Sequence, residues 1–154
     1  MAANYLVRDE KRLLEALTAH NVQFMIVGLT AAGLQGANVV TDDVDLWVKD
    51  LGSSHFLAAI QSVGGFYIPP GVAGQNPPMI GPDQLKVFDL VTHMHGLGSF
   101  EDEFSRSVEI LIGGATVKVL PLDRIIASKE AAGRDKDRAA LPALKAALAM
   151  NQKQ

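Results

Sequence analysis

The segment Thr41-Asp-Asp-Val-Asp45 carries the pattern with the clearest chemistry. From Asp43 onward the residues alternate strictly, Asp43, Asp45 and Trp47 on one side and Val44, Leu46 and Val48 on the other, which predicts a strand with its apolar side in the core. Two carboxylates spaced by two on such a strand leave the same face about 7 Å apart. A pair of this kind can ligate a divalent cation. Magnesium takes hard oxygen ligands, commonly one or two carboxylates plus phosphate oxygens, and paired ions serve phosphoryl and nucleotidyl transfer. Asp89 offers a third carboxylate, in the run Val87-Phe-Asp-Leu-Val91, which is too apolar to hold an idle charge cheaply. Aspartate pairs at strand edges also act as solvated or capping groups, so the spacing alone leaves both readings open.

These acids need elements to position them. Phe24-Met-Ile-Val-Gly28 is an apolar run too short for a helix, so it reads as a buried strand, and Thr30-Ala-Ala-Gly-Leu-Gln-Gly36 reads as a short helix entered directly from it. A glycine, a hydroxyl and a helix N-terminus thereby meet at Gly28 and Thr30, where free backbone N–H groups can bind phosphate. The alternative is a plain strand-to-helix turn. Ahead of this unit, Leu13, Leu14 and Leu17 predict a helix from about Val7 to His20 that stops at Asn21. After the acidic strand, Ser53 or Ser54 caps a helix carrying Phe56, Leu57, Ile60 and Val63, closed by Gly64-Gly65.

Five of the seven prolines lie between Tyr67 and Asp83, which predicts a long surface loop without regular elements, either a lid or a passive excursion. A third strand is expected over Leu85 to Val91, then a capping box at Ser99-Phe-Glu-Asp102 and a helical turn through Phe104. Val108 to Ile112 and Ala115 to Leu120 flank Gly113-Gly114 as a hairpin. Leu122, Ile125 and Ile126 open a helix that Gly133 closes. A last helical stretch carries Leu141, Leu144 and Leu148, and Pro142 either kinks it or starts it. The sum is an α/β (α+β) chain, a single domain over residues 1–150 with a mixed sheet flanked by helices, and a frayed tail at 151–154.

Composition narrows the chemistry. In 154 residues, 48% are hydrophobic and 20% charged, as in one compact domain, and the net charge of −3 would repel a polyanion, so any nucleic-acid contact must be local. With no cysteine there is no disulfide, thiolate zinc site or cysteine nucleophile. No run of apolar residues is long enough to span a membrane and the start has no basic region followed by an apolar run, so the expectation is a soluble cytoplasmic protein.

The series Val27-Gly-Leu-Thr-Ala31, Thr41-Asp-Asp-Val-Asp-Leu-Trp-Val48 and Val87-Phe-Asp-Leu-Val91 resembles the minimal nucleotidyltransferase fold of the DNA polymerase beta superfamily. The stretch from Val119 to Asp137 is similar to the one that follows the third acid in small bacterial nucleotidyltransferase-like proteins, including abortive-infection toxin components. The resemblance implies that Asp43, Asp45 and Asp89 hold two Mg²⁺ ions and that Asp89 assists deprotonation of the attacking group. It implies that Gly28 and Thr30 hold the phosphates of an NTP donor, with Lys129, Arg134 and Lys136 near the triphosphate or the acceptor. The implied reaction moves an NMP group to a hydroxyl of a small molecule, protein or RNA and releases pyrophosphate. The alternatives are a catalytically lapsed binding module and a toxin paired with an antitoxin. Two departures stand out. Leu29 replaces the usual second glycine, and Asn38, Val39 and Val40 occupy a stretch where many relatives carry arginine.

Three other features admit two readings each. His93-Met-His95 could present two imidazoles on one strand face as metal ligands, but reads better as a strand end with one histidine at the site rim. Trp47 could stack on a base or simply pack. The five basic and four acidic residues from Asp123 to Arg138 make a phosphate clamp or a mixed solvated face.

Overall fold

The computed structural model describes residues 8–71 and 76–153. The start of the first helix at Val7, the centre of the proline-rich stretch at 72–75 and Gln154 lie outside the described residues.

The described residues form six α-helices and seven strands, five of the strands in one sheet and two in a second. Helix α1 (Arg8–Ala19) leads into β1 (Phe24–Val27), which passes without a loop into α2 (Gly28–Leu34). Strand β2 (Val44–Val48), α3 (Ser54–Ser62), β3 (Phe66–Ile68) and β4 (Met79–Gly81) follow, then β5 (Phe88–Val91), α4 (Phe100–Phe104), β6 (Val108–Ile112), β7 (Ala115–Val119), α5 (Leu122–Ala132) and α6 (Asp135–Gln152). The order in the sheet is β5-β2-β1-β7-β6. Pairing is mixed: β1 runs antiparallel to β2 and parallel to β7, β2 parallel to β5, and β6 antiparallel to β7.

All four residues of β1 are buried, as its central place and unbroken apolar run require. Leu13, Leu14 and Leu17 of α1 are fully buried, and α1 packs on α3 and β7. The Gly113-Gly114 hairpin forms as expected, with Ile112 opposite Ala115, and Gly114 N–H donates to Glu15 Oε2 at 2.7 Å, tying the turn to α1. Ser53 and Ser99 cap α3 and α4 through side-chain hydrogen bonds at 3.1 Å.

Four expectations change. The proline-rich stretch is not wholly irregular, because β3 and β4 pair as a separate two-stranded sheet with Tyr67 opposite Ile80. The third strand starts at Phe88, since Asp83–Leu85 forms a 3-10 turn. Pro142 sits inside α6 and neither starts it nor ends it; the first turn comes after Gly133, whose φ of 63° closes α5. Helix α6 continues to Gln152, where Asn151 donates to the Gln35 carbonyl at 3.0 Å. Gln35 also donates to Leu120 O at 2.8 Å and accepts from Leu122 N–H at 3.3 Å, so one side chain fixes the end of α2 against the start of α5.

Candidate active site

Strand β2 lies between β1 and β5, and its second residue is the pivot of the site. Asp45 is opposite Asp89 in the parallel pairing with β5 and opposite Val27 in the antiparallel pairing with β1. Residues directly opposite share a face, so the two side chains leave the same side of the sheet from neighbouring strands, whose backbones are spaced about 4.8 Å. Asp43 precedes the strand and is exposed, as is Asp89, whereas Asp45 is half-buried. Burial, the Asp89 carboxylate and the Asp43 carboxylate push Asp45 up to about 6, against the opposing pull of Lys129 and Lys136. Burial and Asp43 also raise Asp89. The three acids thus form one electrostatic group.

Gly28 is the first residue of α2 and has a φ of 70°, a conformation that strains any residue with a side chain. A Cβ there would overlap Asp45 Oδ2 and lie 3.2 Å from Cγ. The glycine is therefore needed to let the acidic strand come this close. Thr30, expected at the phosphates, faces inward instead: it is 2% exposed and its hydroxyl donates to the Asp43 carbonyl at 2.7 Å. Its place in the site is to hold the backbone that carries the first acid. Leu29 is half-buried and packs against the core.

The three basic residues separate. Lys136 is exposed and close enough to Asp45 to act on its charge. Lys129 and Arg134 converge on Asp137, a carboxylate with no solvent exposure. Arg134 donates from Nε at 2.7 Å, from Nη2 at 3.2 Å and from its backbone N–H at 3.1 Å, and Lys129 Nζ lies 3.3 Å away. The Arg134 bonds, with Lys129, hold Asp137 at about 2. Sequence reading grouped Asp137 with the acids of a mixed face and missed this role. The available signal was the three-residue spacing from Arg134 to Asp137 just after a helix-closing glycine.

A cleft of about 220 Å³ brings together Gly28, Asp45, Ser128, Lys129, Arg134 and Asp137, with His93, Met94 and His95 also in its lining, whereas Asp89 lines a separate cavity of about 210 Å³ beside Lys86 and Pro77. The histidine rings are 5.4 Å apart, edge to face. Both histidines, not one, line the cleft. Trp47 is 3% exposed and packs edge-on against Phe100 at 5.7 Å, so it belongs to the core and is closed to a base. Behind the rim, Glu103 accepts from Arg124 Nε at 2.8 Å and Nη2 at 2.7 Å and from Gly98 N–H at 2.9 Å, fixing the loop after His95 to α5.

Among the described residues, no three carboxylate or imidazole side chains are gathered into a ready-made metal cage. The donor set still fits a hard cation, because magnesium needs only one or two carboxylates when phosphate oxygens complete its shell. Asp45 and Asp89 supply an adjacent anionic pair whose mutual repulsion a cation would relieve. No helix among the described residues is long and apolar enough to cross a membrane.

No curated protein sequence matches the chain. Among solved structures it is similar to the antibiotic-resistance factor ANT(2'')-Ia in solution, with a TM-score of 0.59, 15% identity and coverage of 91% of this chain and 82% of that one. A crystal structure of ANT(2'')-Ia in complex with adenylyl-2''-tobramycin gives a TM-score of 0.58 at 16% identity, covering 92% and 88%. These likenesses establish the nucleotidyltransferase fold. Residues 7–153 match the family described as nucleotidyl transferase of unknown function (DUF2204), and the chain belongs to that family.

Proposed function

We propose that the protein transfers a nucleoside monophosphate from an NTP to a hydroxyl of a small-molecule acceptor, using Mg²⁺ held by the Asp45 and Asp89 pair together with donor phosphate oxygens, with Asp43 adding negative charge beside them. The observation that carries this reading is the in-register pairing of Asp45 with Asp89, with Asp45 packed on Gly28 and lining a cleft that also presents Lys129. Bound there, magnesium would neutralise charge on the transferring phosphoryl group. The residues do the rest. Asp89, exposed on the edge strand and raised from its ordinary value by burial and the Asp43 carboxylate, is suited to take the proton from an acceptor hydroxyl. Lys129 and Lys136 offer positive charge to the triphosphate. A small acceptor suits a net charge of −3, since the overall field would repel a polyanionic acceptor.

A second reading, a binding module without transfer, is favoured by one observation: Lys129 and Arg134 are both engaged by Asp137. Incubation with Mg²⁺ or Mn²⁺, each labelled NTP and a panel of hydroxyl compounds separates the two. Label transfer that disappears in Asp43→Asn and Asp45→Asn supports the enzyme. Calorimetry that finds neither metal nor nucleotide binding to the wild type removes the enzyme in favour of the module.

A further inference from the structure

Asp137 is a fully buried anion at the edge of a solvent-open cleft, and it holds more cationic partners than its burial requires. An ionised carboxylate without solvent must be paired and hydrogen-bonded, or its desolvation costs several kcal/mol. Arg134 alone meets that need, with three N–H donors on Asp137 and a guanidinium half exposed on the outer side. The second cation is Lys129, which reaches Asp137 from α5 with its side chain 20% exposed and which also acts on the charge of Asp45. Lys129 thus shares one cleft with two carboxylates, the buried Asp137 at 3.3 Å and the half-buried Asp45.

We propose that Asp137 is a positioning residue: it draws the Lys129 ammonium away from Asp45 and holds it where donor phosphates bind, with Arg134 as the outer brace. The proposal rests on the nucleotidyl-transfer reading. A lysine ammonium has three donor directions and a flexible four-carbon stem. One direction is taken by Asp137 Oδ1, which fixes the stem and leaves two donors for phosphate oxygens. Were Asp137 neutral, Asp45 would be the carboxylate left in the lining of this cleft to attract Lys129. Lys129 would close on it, leaving the phosphate side of the cleft without its charge and the acid without its freedom. Preorganised charge of this kind strengthens phosphate binding because no rearrangement has to accompany it.

The test is calorimetric binding of the non-transferable α,β-methylene analogues of ATP, GTP, CTP and UTP in the presence of Mg²⁺. Wild type is expected to bind at least one. Asp137→Asn and Lys129→Met should each weaken that binding about tenfold, and the double variant should be no weaker than Lys129→Met, since both act through one ammonium. A purely structural Asp137 would give additive losses, and either additivity or Asp137→Asn binding within about twofold of wild type overturns the proposal. Should Asp137→Asn not fold, Asp137→Glu keeps the charge but displaces it by one methylene, and is expected to bind at least about threefold more weakly; wild-type affinity in that variant also overturns the proposal. Failure of wild type to bind any analogue removes the transfer reading itself, whereas wild-type binding that is indifferent to Asp137 removes this inference alone.

Discussion

The Asp45 carboxylate rests against the Cα of Gly28, in the space that any side chain at position 28 would take. Two constraints meet there, since Gly28 also has a φ of 70°. Gly28→Ala is therefore expected to lose about 1 kcal/mol from backbone strain alone. Moving Asp45 out of line with Asp89 should lower transfer by at least about tenfold, because a displacement near 1 Å at a reacting centre has effects of this size. Circular dichroism and a melting curve beside the transfer assay check this. Full activity in a folded Gly28→Ala protein would mean that the close approach has no bearing on the chemistry.

Asp45 has a pKa of about 6 in the folded protein, above its value in the unfolded chain, so the folded state binds its proton more tightly. Stability from this group falls as pH rises from about 4 to 6 and is flat beyond. Asp45→Asn removes that penalty. At pH 7 without metal it should melt higher, by an amount on the order of 2 kcal/mol, while transfer is abolished. Added Mg²⁺ and nucleotide should narrow the difference by stabilising wild type only. Equal melting temperatures in the metal-free proteins would show that the acids do not burden the fold.

The framework of this site was legible in the sequence and its electrostatics were not. The run Phe24 to Val27, the alternation from Val44 to Val48 and the glycine pair at 113 and 114 specify strands through local patterns, and these formed where expected. Trp47 shows the limit of such patterns. By parity it belongs to the acid face, yet the distant Phe100 covers it, and only the tertiary fold brings α4 there. Thr30 and Asp137 show the same limit. A hydroxyl beside a helix start and an acid in a mixed-charge run look solvated along the chain, and become buried only when the Asp43 backbone and α5 fold against them.

Thr30 separates two roles experimentally. Its buried hydroxyl donates to the Asp43 carbonyl, so Thr30→Val leaves that carbonyl without this partner and should cost about 1–3 kcal/mol of stability. As Thr30 supports the acid and does not face the donor, the maximal rate of transfer should fall while the Michaelis constant for NTP stays within about twofold. A large rise in that constant at unchanged rate would make Thr30 a phosphate ligand after all.

Asp137 predicts how the protein behaves in acid. The Arg134 hydrogen bonds, with Lys129, hold its carboxyl at about 2, below the value near 3.9 of an unfolded aspartate. A depressed folded pKa gives stability that is fully present above about pH 4 and is lost as pH falls toward 2. Glu103, lowered by its hydrogen bonds from Arg124, acts in the same direction. Asp45 acts in the opposite one, because its protonation below pH 6 favours the folded state. The melting temperature of the metal-free protein should therefore rise slightly from pH 7 to about 4.5 and drop steeply below 4. Asp137→Asn should melt lower than wild type at pH 7 and converge with it toward pH 2, where the wild-type carboxyl has gained its proton and lost its pairing. A constant gap between the two curves down to pH 2 would mean that the residue stabilises the fold through packing rather than charge.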